Sequence, residues 1–271
     1  MRKLRASIDG IGLSAFVAPG PKTTVLLIHG NSSCKEVYFS QLSYLRKLGH
    51  AVVAPDLPGH GESNDAPKPQ ATYSFPGYAG VLRRLMTQLG IDRYHIVGWS
   101  LGGHIGLEMW YADPNVRSLM ITGTPPAKLS PLGAQQAFNP TPVMSLAGTR
   151  KFGGAEVEAY GAAMLGAPLD HRLRVSRMIA RTDGRARYWM VKNSLAGVGL
   201  DEVMAVSRCR RPLAIVQGKN DLFVNTNYLH SLKYSNLWLN KPIMIDAGHA
   251  PHWQRPRLFN RFMRDFLIEV D

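Results

Sequence analysis

An α/β domain built on a mainly parallel central sheet is the fold this sequence predicts, and three observations carry it. Short apolar, β-branched runs alternate with helix-compatible stretches along most of the chain, the pattern of a sheet covered by helices on both faces. One apolar run, Tyr94–Val97, feeds the turn Gly98-Trp99-Ser100-Leu101-Gly102, and a helix-compatible stretch from Leu101 to Tyr111 follows. That strand–turn–helix context holds a serine on a tight, strained elbow with its hydroxyl exposed. Downstream, an aspartate and a histidine follow the last two strand-like runs in the order Ser…Asp…His, the order used by this elbow architecture.

Taken from the N-terminus, Leu4–Ile8 and Ile11–Val17 read as a hairpin across Asp9-Gly10. Thr23–His29 is β-branched and apolar and reads as a buried strand. Lys35–Leu48 is helix-like and stops at Gly49, and Ala51–Ala54 is a second short buried strand. A Gly/Pro-rich loop over Asp56–Thr72 leads to a helix near Tyr78–Leu89. The elbow and its helix come next, then a strand at Val116–Thr122. After Gly123-Thr124-Pro125-Pro126 the pattern breaks, and residues from about Ala127 to Leu195 read as mostly helical with no clear buried strand. Alternation resumes with a strand at Leu213–Val216, a helix near Thr226–Leu232, a strand at Pro242–Ile245 and a closing helix at Arg257–Ile268. This organisation gives a core of residues 1–126 and 196–271, with 127–195 inserted as a helical cap. The cap is expected above the carboxyl edge of the sheet, where open α/β sheets bind ligands.

At 271 residues and 45% hydrophobic, the chain is long enough to bury one full core. No internal repeat or low-complexity tract appears. No apolar run reaches the roughly 18 residues that a membrane span needs, and the basic start Met1-Arg2-Lys3-Leu4-Arg5 leads into alternating residues, not an apolar signal core. Two distant cysteines, Cys34 and Cys209, suggest no disulfide framework, so the expected address is the cytoplasm. The net charge of +13 raises the question of polyanion binding. No nucleic-acid motif or compact basic block with interleaved aromatics accompanies it, so neither nucleic acid nor stable membrane association is expected. Arg172, Arg174, Arg177 and Arg181 recur at near-helical spacing and read as a solvated face.

A serine hydroxyl is a poor nucleophile at neutral pH; it needs an adjacent base, and that base needs an orienting acid. Among nine histidines, His249 is the best placed, in Asp246-Ala247-Gly248-His249-Ala250-Pro251 just past the last strand; His252 is the nearby competitor. The acid belongs past the preceding strand, where Gly218-Lys219-Asn220-Asp221 offers Asp221; Asp246 competes. Donors for a developing oxyanion are expected from the tight loop Gly30-Asn31-Ser32-Ser33 and from the backbone N–H of Leu101. The Asn31 amide reads equally as an extra donor or as a turn residue. Trp99, beside the serine, reads as a pocket wall or a core filler. Met144, Leu146, Met164, Met178 and Met190 of the cap offer adaptable apolar surface.

Four segments together resemble the α/β-hydrolase superfamily over nearly the whole chain. They are His29-Gly30, Asp56-Leu57-Pro58-Gly59-His60-Gly61-Glu62-Ser63, Gly98-Trp99-Ser100-Leu101-Gly102-Gly103 and Gly248-His249-Ala250-Pro251. Three more add a narrower likeness: His29-Gly30-Asn31-Ser32-Ser33, Met120-Ile121-Thr122-Gly123-Thr124-Pro125-Pro126 and Arg181-Thr182-Asp183-Gly184-Arg185-Ala186-Arg187. These resemble the metal-independent N-acyl-homoserine lactonases, which degrade bacterial quorum-sensing signals. The resemblance implies a Ser100–His249–Asp221 triad, Asn31 near the oxyanion or the substrate amide, and Trp99 and Tyr160 lining the pocket. It also implies a small acyl-lactone substrate and no cofactor or metal. One departure is the acid: these lactonases carry glutamate where this chain has Asp221, while aspartate is the commoner acid in the wider superfamily. A general carboxylesterase and a cofactor-free dioxygenase of the same fold are the alternatives. Epoxide hydrolases and haloalkane dehalogenases are disfavoured, because they carry aspartate where Ser100 stands.

Overall fold

The computed structural model describes residues 1–166 and 169–271, with the side chains of 169–174 left out. The Arg172 and Arg174 side chains of the expected basic face therefore lie outside what is described. The described residues form an eight-stranded sheet in the order β1-β2-β4-β3-β5-β6-β7-β8. The strands are β1 (Arg2–Ile8), β2 (Ile11–Ala18), β3 (Lys22–Ile28), β4 (His50–Pro55), β5 (Tyr94–Trp99), β6 (Val116–Thr122), β7 (Leu213–Gly218) and β8 (Ile243–Ile245). The first two form the expected antiparallel hairpin, its turn made by Asp9 and Gly10 at φ 51° and 79°. Every pairing from β4 through β8 is parallel.

Successive residues of a strand point to opposite faces, and each face of this sheet has its own core. On one side Leu26, Ile28, Ile96, Leu119 and Ile215 pack with α2 (Phe75–Gln88) and α3 (Leu101–Ala112). On the other, Val25, Leu27, Val97, Met120 and Val216 pack with α1 (Phe39–Lys47) and the C-terminal helix (Pro256–Val270). Being covered twice, the central strands are continuous apolar runs, as the sequence reading required.

Two helices differ from expectation. The stretch Lys35–Leu48 opens with a 3-10 turn, Lys35–Tyr38, before α1 begins. Lys35 is the cause: its N–H and its ammonium both bind Asp56, at 2.8 and 2.6 Å, which fixes the entry of the chain. Helix α2 begins three residues earlier than expected, because the Ser74 hydroxyl accepts the Gly77 N–H at 3.1 Å and caps it.

Between β6 and β7 the described residues contain helices and no strand. The principal ones are α4 (Gly154–Leu165), α5 (Leu169–Arg181) and α6 (Gly184–Leu195), which lie in the stretch expected as the cap, and α7 (Glu202–Arg208), which packs beside α3. Among the described residues no helix is long and apolar enough to cross a membrane.

The topology itself makes a crevice. From β3 the chain turns outward to β4, then returns to β5 on the opposite side of β3. The loops after β3 and β5 thus leave the sheet in opposite directions, side by side, which is the switch point where such sheets bind ligands. Asn31 lies in the first loop and Ser100 in the second.

Candidate active site

Ser100 sits between β5 and α3 with φ 54° and ψ −121°, a region that costs a residue with a side chain on the order of 1–3 kcal/mol. The surroundings enforce it. A Cβ on Gly102 would overlap the carbonyl oxygen of Ile28, so the helix is drawn against β3 only because position 102 carries no side chain. The Ser100 N–H bonds the Thr122 carbonyl at 2.9 Å, and the Thr124 hydroxyl donates to the Ser100 carbonyl at 3.0 Å. The backbone is held on both sides of the strained residue.

His249 and Asp221 come from the loops after β8 and β7, which are pinned together by Asn220 N–H to Ala247 O at 2.9 Å. His249 Nδ1 meets both Asp221 oxygens, at 3.0 and 2.9 Å. The Asp221 carboxylate also accepts the N–H groups of Phe223 and Val224 at 2.8 and 3.2 Å and the Gln217 amide at 2.7 Å. Burial alone would raise the Asp221 carboxyl. The facing imidazole and these hydrogen bonds outweigh burial and hold it below the ordinary carboxylate range. Gly123, at φ 61°, lies under the ring: a Cβ there would stand 2.9 Å from His249 Cε1.

Ser100 and His249 share one cavity of about 130 Å³, walled by Asn31, Phe75, Leu101, His104, Phe138, Met144, Tyr160, Met190 and Phe223 among others. The structure therefore brings Ser100, His249 and the Asp221 that braces it to one rim. Among the described residues the hydrogen bonds of the imidazole are made by Nδ1, and none is made by Nε2. Leu101 opens α3, and the first N–H of a helix has no intrahelical acceptor.

The competitors fall away. His252 is wholly buried among Trp99, Tyr38 and Phe259, with both nitrogens unpartnered, and burial depresses it to about 3. Asp246 is exposed and pairs with Arg255 and Asn220. His29 is likewise buried and depressed to about 4: its Nδ1 donates to Gly30 O and its Nε2 accepts the Leu57 N–H, so it shapes the loop as a neutral ring.

Two expected contacts differ. Trp99 does not line the cavity; it is fully buried behind it, and its indole N–H donates to the His249 carbonyl at 2.9 Å. Its side chain points to the opposite face of β5 from Gly98, into the core beside the C-terminal helix, which is why the neighbour of the serine is a support and not a wall. Asn31 does line the cavity, but its amide Nδ2 is committed to the cap, donating to Ala147 O at 2.9 Å and to the Tyr160 hydroxyl at 3.3 Å. Tyr160 lines the cavity as expected, and burial pushes its phenol up to about 12.

Sequence reasoning missed Gln217, Phe223 and the pair His104–Glu202. Gln217 braces Asp221 while its own carbonyl accepts the Gly123 N–H at 3.0 Å. Its position four residues before Asp221, at the end of a strand, was the available signal. Phe223 packs on the His249 ring with centroids 4.6 Å apart. The three side chains Cys34, Glu36 and Asp56 stand close enough to suggest a metal site, but they do not fit one. Asp56 is already bound by Lys35 and by the Glu62 N–H, and burial pushes the Cys34 thiol up, away from the thiolate a metal requires.

Residues 25–262 match the alpha/beta hydrolase family. An uncharacterized protein of Mycobacterium tuberculosis is 26% identical over 268 residues, covering 93% of this chain and 77% of that protein. A mutant of the N-acyl homoserine lactonase AidH, complexed with N-hexanoyl homoserine lactone, superimposes with a TM-score of 0.95 at 36% identity, over 100% of this chain and 98% of that one. A second AidH structure, complexed with N-butanoyl homoserine, does so with the same score and identity over 97% of its length. With the parallel sheet, the strained serine turn after β5 and a family match spanning most of its length, this chain belongs to the alpha/beta hydrolase family.

Proposed function

We propose that this hydrolase opens the lactone ring of N-acyl-homoserine lactones through a Ser100–His249–Asp221 triad. The observation that carries the reading is the Asp221–His249 pair, at 2.9 Å, on the same cavity as a serine in a strained elbow. The full-length likeness to AidH, whose structures hold an acyl-homoserine lactone and an acyl-homoserine, supports this substrate class.

His249 Nε2 takes the Ser100 proton as Oγ attacks the ring carbonyl carbon. Asp221 keeps the proton of the imidazole on Nδ1 and stabilises the imidazolium that forms. The tetrahedral oxyanion is held by the backbone N–H groups of Leu101 and Asn31; the Asn31 side chain serves instead to tie the loop to the cap through Ala147 and Tyr160. Collapse breaks the ring C–O bond, and His249 returns its proton to the leaving alkoxide, which stays attached through the acyl portion. A water deprotonated by His249 then attacks the acyl-enzyme and releases the N-acyl-homoserine. In this scheme residues 1–126 and 196–271 supply the reacting groups, and 127–195 is the cap that covers the acyl chain. Both cysteines are free thiols, which suits the reducing cytoplasm to which we assign the protein.

Mass spectrometry of products from a panel of acyl-homoserine lactones, beside p-nitrophenyl esters, tests the reading. Ring-opened acid is expected with wild type, and Ser100→Ala is expected to lose on the order of 10⁶ in turnover. Ring opening by both proteins would remove Ser100 from the mechanism; ester cleavage without lactone opening would leave a carboxylesterase. No step uses a metal, so activity is expected to persist after dialysis against EDTA, and loss restored by zinc would contradict the mechanism.

A further inference from the structure

A second imidazole braced by a carboxylate faces the same cavity, and the reaction above does not use it. His104 stands one turn along α3 from Ser100, its N–H bonding back to the Ser100 carbonyl at 3.3 Å. The residue is 6% exposed and lines the cavity. Nδ1 lies 2.8 and 3.0 Å from the two oxygens of Glu202. Glu202 is fully buried and is fixed in turn by the Ala127 N–H at 2.8 Å. The ring is also stacked flat on Phe75, with centroids 4.8 Å apart and planes 4° from parallel. Orientation is therefore locked from two sides.

With Nδ1 committed to Glu202, no protein group among the described residues is hydrogen-bonded to Nε2. The rings of Phe75 and Phe138 flank the imidazole, and the cavity wall is mostly apolar, with Lys128, Ser130 and Ser194 also on it. A polar atom in such a wall carries a desolvation cost that a matching ligand group relieves, so it discriminates between ligands that do and do not offer one. A structural tie between α3 and α7 needs only Nδ1; it does not require the ring to border the acyl-binding space.

We propose that His104 selects acyl groups bearing a hydroxyl near the carboxyl end of the chain, as in a 3-hydroxyacyl substrate. A hydroxyl donates to a neutral Nε2 and accepts from a protonated one, so it satisfies the ring in either charge state. A methylene satisfies it in neither, and a keto oxygen only in the protonated one. His104 is a specificity-determining group in this account, held in place by Glu202, and the account rests on the proposed reading of the cavity as the acyl site.

The experiment compares 3-hydroxyhexanoyl with hexanoyl ligands, each as the homoserine lactone and as the p-nitrophenyl ester. Both kcat/KM with wild type and calorimetric affinity for the lactones with Ser100→Ala are measured. Wild type is expected to prefer the hydroxylated member of each pair by about three- to tenfold, the worth of one hydrogen bond in a closed site. His104→Phe, which removes the nitrogen, and Glu202→Gln, which weakens the orientation, are expected to bring that ratio close to one. A ratio near one in wild type for lactones and esters alike, or a ratio unchanged in His104→Phe, would each overturn the proposal. If the esters show the preference while the lactones are not opened, the lactone reading fails and the hydroxyl selection stands.

Discussion

At the scale of single residues, the site is a set of groups whose freedom has been removed in turn. His249 is held by Asp221 at Nδ1, by the Trp99 indole at its carbonyl, by Phe223 across its face and by Gly123 beneath. Asp221 is held by two backbone N–H groups and the Gln217 amide. Acceptor capacity at Asp221 is thus filled by donors that all favour the ionised form, which is what an orienting acid needs. Asp221→Asn keeps the shape but presents an amide N–H where the imidazole N–H must be accepted, forcing the wrong tautomer. Turnover is expected to fall by about 10⁴ with a much smaller change in KM, measured by steady-state kinetics on an acyl-lactone or an ester. A fall of less than tenfold would mean that another carboxylate orients His249. The triad candidates were legible because each stands in a short Gly-containing loop after a strand, where type and order are visible. Gln217 and Phe223 were not, because an amide at a strand end and an aromatic near a turn are ordinary residues until three-dimensional contact gives them a partner. Trp99 shows the same limit from the other side: adjacency to Ser100 in sequence suggests the pocket, yet alternation along β5 sends it to the opposite face.

At the scale of elements, the serine turn depends on how closely α3 approaches β3. A methyl on Gly102 would overlap Ile28 O, a backbone atom that cannot move without disturbing the β3–β5 pairing, in which Ile28 stands opposite Gly98. Gly102→Ala is therefore expected to cost about 1–3 kcal/mol of stability, read as a lower urea midpoint with unchanged slope. Activity should fall by more than that loss of folded protein explains, because the helix can only retreat from β3 by carrying Ser100 and the Leu101 N–H away from the loop that holds Asn31. A variant as stable and active as wild type would show that the approach is not needed. The strand assignments were legible to within one or two residues at most positions, since twice-covered strands must be apolar throughout. Helix starts were less so. Lys35–Tyr38 looks helical by composition, and only the buried Lys35–Asp56 pair, between residues 21 apart, explains its 3-10 geometry. Helix α7 had no strong period, being seven residues long, and its Glu202 finds its purpose on a distant element.

At the scale of the whole molecule, buried histidines tie stability to pH. His29, His60 and His252 are each fully buried, and burial depresses them to about 4, about 3 and about 3. In the unfolded chain a histidine titrates near 6.5. As pH falls below that value the unfolded state binds protons that the folded state refuses, so stability is fully present above about 6.5 and declines toward about 4. Each such histidine contributes a slope of about 1.4 kcal/mol per pH unit through that window. His252 isolates the effect, because neither of its nitrogens has a partner, and its ring merely fills space among Tyr38, Trp99 and Phe259. His252→Leu removes the titration while keeping an apolar side chain of similar volume. Urea unfolding at intervals between pH 7 and pH 4.5 should show wild-type stability falling steeply, and the variant falling with a slope smaller by about one proton. The difference in slope is independent of whatever the replacement costs or gains at pH 7. Equal slopes would mean that His252 takes up a proton in the folded state, and with it that the packing around Trp99 and His249 admits charge or water.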